Sequence, residues 1–336
     1  MLQSKNKRPV IFIMGPTASG KTALAIDLVQ KGIERSIDNK DDLENSFCGF
    51  EIISVDSTLV YTQLNIGSAK PNDHELLLAP HHLIDFIDPQ NSYSVSQFYE
   101  DANDLIEAIH QRNKIPLLVG GTMLYFKALL NGLAKMPATD EEVRSKIQQK
   151  LKIQGIETLY SELTKIDPVT ANRLHTNDTQ RITRALEVYQ MSGKPLSQWH
   201  KEQSEHEFPY PLLSIAISPE ERKTLHKRIE ARFERMLNNG FLQEMSDLYY
   251  RGDLNLDCPS MRSVGYRQYW QYMEGELTLT EAKEKAIIAT RQLAKRQLTW
   301  LRTWPDVYWF DLLVKSQHES CYKLINDFLV SKATVI

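Results

Sequence analysis

Short runs of consecutive apolar residues alternate with stretches of helical periodicity along the first 130 residues. Three such runs, at 10–14, 51–55 and 115–119, end directly before glycine or aspartate. Apolar runs without polar alternation are typical of strands that are buried on both faces of a sheet. Because helical stretches separate the runs, this part of the chain is predicted to form a parallel α/β sheet.

The pattern changes after residue 139, where helical periodicity continues and no strand-like run interrupts it. Asp167 followed by Pro168 suits an N-cap with proline at the first helical position, and Gly193 suits a C-terminal cap. A further apolar run at 212–217 indicates that the sheet then resumes. The intervening segment is therefore predicted to be a helical insertion, with helices at 140–153, 157–166, 168–174 and 179–191.

The last third of the chain is predicted to contain two long helices, at 219–239 and around 280–304, and a short strand at 307–310. The sequence Ser-Pro-Glu-Glu at 218–221 predicts a capping box at the start of the first helix. Residues 31–50 have little periodicity and are predicted to be a solvated loop. The predicted domains are the first part of the core at 8–137, the insertion at 138–205, and the second part of the core with C-terminal helices at 206–336.

Composition narrows the class of protein. The 336 residues are 42% hydrophobic, and 40 basic against 43 acidic residues give a net charge of −3, which argues against a protein that coats nucleic acid by bulk charge. The three cysteines lie far apart and predict neither a disulfide framework nor a zinc cluster. Because no apolar stretch approaches the roughly 18 residues of a membrane span and none has the form of a signal peptide, we expect a cytoplasmic protein without a membrane partner.

A phosphate-binding loop follows the first predicted strand. The sequence GPTASGKT at 15–22 fits G-x-x-x-x-G-K-[ST] between a strand and a helix, which is the context that supports this ATP-binding motif. Its backbone N–H groups attract phosphate oxygens, Lys21 adds a charge, and the Thr22 hydroxyl can hold Mg²⁺. The predicted fold class is therefore α/β, with a P-loop NTPase-like parallel sheet core and an all-helical insertion domain. The predicted phosphate-binding residues are Gly15, Pro16, Thr17, Ala18, Ser19, Gly20, Lys21 and Thr22.

The residues that follow the other predicted strands indicate which class of reaction the phosphate-binding loop supports. The run at 115–119 leads into Gly-Gly-Thr rather than aspartate, which argues against a hydrolytic motor. A small-molecule kinase and a transferase whose donor carries a diphosphate leaving group both remain open. Asp56 follows the second strand, where its carboxylate could accept a proton from a nucleophile, and it could equally cap the next turn.

Seven sequence blocks resemble the tRNA dimethylallyltransferases. They occur in that family's order over about residues 10–310. The blocks are GPTASGKT at 15–22, SVDS at 54–57, IGSAKP at 66–71, GGT at 120–122, QRITR at 180–184, SVGYR at 263–267 and RQLAKRQ at 291–297.

The resemblance implies transfer of a dimethylallyl group from dimethylallyl diphosphate to the exocyclic amine of adenosine 37 in the tRNA anticodon stem-loop, with Mg²⁺ as cofactor. Lys21, Thr22 and Arg232 would hold the diphosphate. Asp56 would accept the amine proton, and Thr122 would orient the adenine. A monomeric enzyme is expected. A nucleoside or metabolite kinase and a non-catalytic tRNA-binding protein are the alternatives.

The resemblance also implies a set of tRNA contacts. On the helix near 280–304, Arg291, Lys295 and Arg302 fall within about 40° of one another beside an apolar arc. A basic helix face can simply be solvated, but the resemblance favours contacts to the phosphate backbone. The predicted tRNA-binding residues are Asp56, Ser57, Thr58, Leu59, Thr122, Arg144, Gln180, Arg181, Ile182, Thr183, Arg184, Arg262, Ser263, Val264, Gly265, Tyr266, Arg267, Arg291, Lys295, Arg296, Gln297, Leu298, Thr299, Trp300, Leu301 and Arg302.

Overall fold

The chain divides into two compact units. The sheet unit consists of Met1–Ala128 and Pro209–Ile336, and the helical unit is Leu129–Phe208, which contains the predicted insertion at 138–205. The computed structural model describes residues 8–38, 47–134, 136–138, 140–202 and 207–333.

The core of the sheet unit is a six-stranded sheet in which every pair of neighbouring strands is parallel. Its strands are β1 (Val10–Met14), β2 (Phe50–Val55), β3 (His81–His82), β4 (Ile115–Gly120), β5 (Leu212–Ile217) and β6 (Val307–Phe310). They are ordered β3-β2-β4-β1-β5-β6. All residues of β1 and β4 are buried, as the unbroken apolar runs predict.

Thirteen helices are formed by the residues that the structure describes. They are α1 (Lys21–Asp38), α2 (Asp73–Leu78), α3 (Val95–Gln111), α4 (Met123–Asn131), α5 (Glu141–Ile166), α6 (Pro168–Ala171), α7 (Thr179–Ser192), α8 (Leu196–Glu202), α9 (Arg222–Asn238), α10 (Phe241–Tyr250), α11 (Tyr266–Met273), α12 (Leu279–Leu301) and α13 (Lys315–Ala333). None of them is long and apolar enough to cross a membrane.

Helices α5 to α8 build the helical unit, and no strand occurs among its described residues. The positive φ of Gly155, 77°, breaks α5 between the two helices predicted at 140–153 and 157–166. Asp167 caps α6 with Pro168 in the first turn, and Gly193 ends α7 in the left-handed region with φ 67°. These three sequence predictions are confirmed.

Two sequence predictions are wrong. Residues 31–38, predicted as loop, continue α1, where Lys31 pairs with Asp27 one turn earlier; residues 39–46 of that predicted loop lie outside the described residues. Helix α9 begins at Arg222 and not at 219, and the predicted capping box is absent there because Glu221 makes no side-chain cap bond. The backbone N–H of Glu220 donates instead to Asp311 Oδ2 at 3.0 Å, which holds this segment beside the end of β6.

Candidate active site

A cleft of about 480 Å³ opens in the sheet unit at the carboxyl ends of the parallel strands. Ligands bind at this edge in open α/β sheets because strand ends and helix N-termini meet there. Its walls are formed by the phosphate loop, the turn after β2, residues 67–69 and 71, the end of β4, and the facing sides of α9 and α12.

The phosphate loop is held in shape from outside. A Cβ on Gly15 would lie 2.2 Å from the carbonyl oxygen of Ile217, so only glycine fits at its first position. Ala18 adopts a positive φ of 64°, and its carbonyl oxygen accepts a hydrogen bond from Arg228 Nε at 2.7 Å. The Thr17 N–H donates to Gln297 Oε1 at 3.0 Å. Two side chains from distant helices therefore contact adjacent residues of the loop.

Lys21 opens α1 and folds back over the loop, where its ammonium donates to the carbonyl oxygen of Pro16 at 2.8 Å. Burial lowers the pKa of Lys21 to about 8, the Asp56 carboxylate raises it in opposition, and the Arg232 guanidinium lowers it further. The pKa remains low because the nearby carboxylate compensates only in part for the loss of water and for a second cation. A bound anion would stabilise the charged form of Lys21.

Helix α9 lines the cleft with three arginines, Arg228, Arg232 and Arg235, spaced so that they share one face. Arg232 Nη2 donates to the carbonyl oxygen of Ser68 at 2.9 Å. Burial lowers the pKa of Arg232, although the Asp56 carboxylate raises it. The structure thus brings Arg232 and Lys21, both predicted to bind diphosphate, to the same cleft.

Asp56 and Thr122 follow two neighbouring strands, β2 and β4. The Asp56 Oδ1 atom accepts the backbone N–H groups of Thr58 at 2.8 Å and Leu59 at 3.3 Å. The Thr122 hydroxyl accepts the N–H of Ser57 at 3.1 Å. The two residues predicted to be catalytic are therefore linked through the turn after β2 at one edge of the sheet.

The predicted tRNA-binding segment at 262–267 lies partly inside the sheet unit. Val264 lines the cleft, and the Ser263 hydroxyl is 3.3 Å from the hydroxyl of Thr58. Tyr266 is fully buried, and its hydroxyl donates to Glu244 at 2.7 Å. Its side chain has no surface for RNA, so the structure gives it a packing role in place of the predicted contact. Gly265 is buried beside it, whereas Arg262 and Arg267 are exposed.

Helix α12 carries both surface and core residues. Ala294 and Leu301 are buried and the partly buried Leu298 packs beside Ala294, which confirms the predicted apolar arc. The burial of Leu301 corrects its predicted tRNA contact. Arg291 pairs with Glu230 of α9, and Lys127 lies over the ring of Trp300 at 5.3 Å. The predicted tRNA-binding residues of this helix and its C-cap that stay exposed are Lys295, Arg296, Thr299 and Arg302.

In the helical unit, the predicted tRNA-binding residues also divide by burial. Arg144, Gln180 and Arg181 are exposed, and Arg181 pairs with Asp178 at 3.2 Å. Arg184 contacts Glu187 at 3.4 Å. Two others are buried in the core of this unit, where they pack and do not meet solvent: Ile182 and Thr183.

Sequence reasoning missed two residues that shape the cleft. Arg228 holds the phosphate loop, and its spacing of four from Arg232 on a helix is the signal that could have found it. The Glu244 carboxylate accepts three backbone N–H groups of residues 65–67, at 2.6–3.0 Å, and so holds the wall whose Ser68 carbonyl binds Arg232. No local pattern marks Glu244, because these three backbone donors are more than 170 residues away.

A parallel sheet with a phosphate loop after its central strand and a ligand-sized cleft at the strand ends defines a P-loop α/β protein. The model of the IPP transferase family matches residues 59–304. The chain therefore belongs to the IPP transferase family.

Solved structures agree with this assignment. The chain is similar to the full-length tRNA isopentenylpyrophosphate transferase of Bacillus halodurans, with 34% identity, a TM-score of 0.68, and coverage of 98% of this chain and 99% of the other. The tRNA delta(2)-isopentenylpyrophosphate transferase of Staphylococcus epidermidis gives 32% identity, a TM-score of 0.65 and coverage of 96% and 99%. A eukaryotic dimethylallyltransferase acting on tRNA gives 28% identity, a TM-score of 0.79 and coverage of 96% and 80%.

Proposed function

We propose that this chain transfers a dimethylallyl group from dimethylallyl diphosphate to the exocyclic amine of adenosine 37, next to the anticodon of tRNA. The products are N6-dimethylallyladenosine and diphosphate. The observation that carries the proposal is one cleft in which a phosphate loop with Lys21 and Arg232 faces the Asp56 carboxylate. Membership of the IPP transferase family supports this function over that of a kinase.

The donor's diphosphate binds between the phosphate loop and α9. Lys21 and Arg232 are cations with lowered pKa values in a cleft where burial has removed water, so a diphosphate replaces their missing solvation. As the bond between C1 of the donor and its oxygen breaks, negative charge develops on the leaving diphosphate. Cations that are already in place stabilise that charge without reorganisation.

Asp56 removes the proton from the adenosine amine. An exocyclic aromatic amine is a poor nucleophile, and general-base catalysis contributes typically about 10²- to 10⁴-fold. The nitrogen–C1 bond forms as the C1–oxygen bond breaks, the amine proton passes to Asp56, and diphosphate leaves. Because both backbone N–H groups donate to Oδ1, we assign proton transfer to Oδ2.

Thr122 orients the adenine. Its hydroxyl oxygen accepts the Ser57 N–H, and a hydroxyl that accepts one bond retains its own proton for donation. An adenine ring nitrogen is a suitable acceptor. The target base must leave the anticodon-loop stack to reach this position, at a cost of a few kcal/mol.

The cleft offers few protein ligands for Mg²⁺. The residues that the structure describes include no group of three or more His, Cys, Asp or Glu side chains able to hold a metal ion. Thr22 lines the cleft beside the diphosphate position. Mg²⁺ in such sites keeps several waters and binds substrate phosphates, and the Ser or Thr hydroxyl of a phosphate loop is one of its protein ligands. When bound, Mg²⁺ would neutralise charge on the leaving diphosphate, and Thr22 would hold it.

The tRNA is contacted by basic side chains that the folded chain leaves exposed. Such contacts neutralise phosphates and release counterions, so they supply affinity that depends on salt. The exposed arginines and lysine among the predicted contacts are Arg144, Arg181, Arg262, Arg267, Lys295, Arg296 and Arg302. The proposed enzyme acts as a monomer in the cytoplasm.

The test is incubation of the pure protein with unmodified tRNA and either labelled dimethylallyl diphosphate or labelled ATP. Label from the prenyl donor should appear on tRNA and be absent from a transcript with guanosine at position 37. Label transferred from ATP to a metabolite, with none on tRNA from the prenyl donor, would support the kinase alternative instead.

A further inference from the structure

We infer that Gln297 is a positioning residue that fixes the phosphate loop against the strand end that carries Thr122. Its side-chain amide contacts both structures at once. Oε1 accepts the N–H of Thr17 at 3.0 Å, and Nε2 donates to the carbonyl oxygen of Gly121 at 2.9 Å. The sequence resemblance assigns Gln297 to tRNA binding, whereas these contacts lie within the protein.

The chemistry of the bridge requires a primary amide of this length. An amide presents an acceptor and donors on one planar group, so it can join an N–H to a carbonyl oxygen. The approach is close, because a Cβ on Gly121 would lie 2.3 Å from Gln297 Nε2. The backbone of Gly121 thus leaves the space that the amide occupies.

The position of Gln297 is set by the packing of α12. Ala294, one turn earlier, and Leu301, one turn later, are both buried. The helix is therefore anchored on either side of Gln297, and the amide is presented by a rigid element. A bridge from a rigid element holds both of its partners at a fixed distance.

The bridge connects the two halves of the proposed reaction. Thr17 belongs to the loop that binds diphosphate, and Gly121 precedes Thr122, whose hydroxyl accepts the N–H of Ser57 next to Asp56. The inference rests on the proposed function, in which C1 of the donor must meet the adenosine amine. A misplacement of about 1 Å between reacting groups can lower a rate by about 10².

The test compares Gln297→Met, which keeps the length but removes both hydrogen bonds, with Gln292→Met on an exposed position of the same helix. Each variant is measured for pyrophosphate affinity by calorimetry, turnover at saturating prenyl diphosphate and tRNA, tRNA affinity, and thermal unfolding. We expect Gln297→Met to weaken pyrophosphate binding about tenfold and to lower turnover at least about tenfold, because the Thr17 N–H and the Gly121 carbonyl oxygen are left without this partner. Its tRNA affinity should stay within about twofold of the wild type, as only bonds inside the protein change, and Gln292→Met should match the wild type throughout.

Unchanged pyrophosphate affinity and turnover in Gln297→Met would overturn the inference, as would an effect confined to tRNA affinity. A lower unfolding temperature with unchanged affinity and turnover would also overturn it. If Gln297→Met does not fold, Gln297→Asn, which is one methylene too short to reach both partners, should give the same pattern. Failure of the proposed function is separate, since the wild type itself would then not prenylate tRNA.

Discussion

Two carboxylates mark the two ends of β2, and their surroundings differ. Glu51, near the start of the strand, receives a bidentate contact from Arg112 at 2.7 and 2.9 Å and further contacts from His82 and Lys114. Burial opposes ionisation, but these bonds lower the pKa of Glu51 to about 2. Asp56, just after the end of the strand, is held by backbone N–H groups, while Lys21 and Arg232 nearby have lowered pKa values.

The difference distinguishes charges that stabilise the fold from charges that await a ligand. At Glu51 the cations and the carboxylate contact one another, so each charge is compensated within the folded chain. In the cleft, Lys21 donates to a backbone carbonyl and Arg232 to another, at 2.8 and 2.9 Å. A buried cation that donates to neutral oxygens gains much from an anion.

The largest expected effect comes from replacing Asp56, the carboxylate just after the end of β2 that faces the cleft. Asp56→Asn should lower turnover of tRNA prenylation at least about a hundredfold, because an amide cannot accept the amine proton. Stability and tRNA affinity should change little, since the asparagine oxygen can still accept the two backbone N–H groups. The matched control is Glu51→Gln, whose turnover per folded molecule should equal that of the wild type. Undiminished turnover in Asp56→Asn would remove its assigned role.

The second effect concerns the stability that Glu51 contributes near the start of β2. The pKa of Glu51 falls from 4.5 to about 2 on folding, and because solvent screens part of this effect, Glu51→Gln should reduce the free energy of unfolding by about 2 kcal/mol at pH 7. A carboxylate with a depressed pKa stabilises the fold fully above pH 4.5 and ceases to do so as the pH falls through about 2. Urea unfolding should therefore show the difference from wild type shrinking over that window. A constant difference would assign the effect to packing.

The third effect is a pH dependence of pyrophosphate affinity that is caused by Lys21. Because Lys21 has a pKa of about 8, its charge is present below that pH, and pyrophosphate affinity should fall up to about tenfold per pH unit well above it. Lys21→Arg keeps its charge throughout and should remove this component, which separates it from ionisation of pyrophosphate itself. Calorimetry at a series of pH values below and above the pKa of Lys21 measures the pyrophosphate affinity of the wild type and of Lys21→Arg. Parallel profiles for the two would contradict the role given to Lys21.

The smallest effect concerns cations outside the cleft. Lys295 is exposed, whereas Arg291 on the same helix is paired with Glu230. Lys295→Ala should therefore reduce the slope of log affinity for tRNA against log salt by nearly one unit, the change expected when one phosphate is no longer neutralised. Arg291→Ala should change that slope less. Equal changes would show that Arg291 exchanges its partner for a phosphate.

Most of the strands and several of the helices could be predicted because their signals are local. The strands at 10–14, 115–119 and 212–217 are continuous apolar runs, and Gly155, Gly193 and Pro168 mark helix boundaries. The start of α9 could not be predicted, since the bond between Glu220 and Asp311 joins segments 91 residues apart. Local propensity has no access to such a contact.

Some residues of the candidate site could also be predicted from local motifs, whereas others depend on contacts between distant parts of the chain. The phosphate loop, Asp56 and Thr122 follow from motifs at strand ends; the loop and Asp56 line one cleft, and Thr122 bonds to the turn after β2. The contacts of Gln297, and those of Glu244 with the backbone of residues 65–67, reach across more than 170 residues, so only the folded chain reveals them. Helical spacing places Arg291 correctly beside the apolar arc but does not disclose its partner on α9.

The position of β1 has a consequence for how the chain folds during synthesis. This first strand pairs on one side with β4 and on the other with β5. One edge of β1 therefore stays open until residue 120 has been made, and the other until residue 217, after the whole helical unit has been synthesised. Pairings of this separation are slow and leave strand edges exposed, so nascent chains that stop before β5 should depend on chaperones.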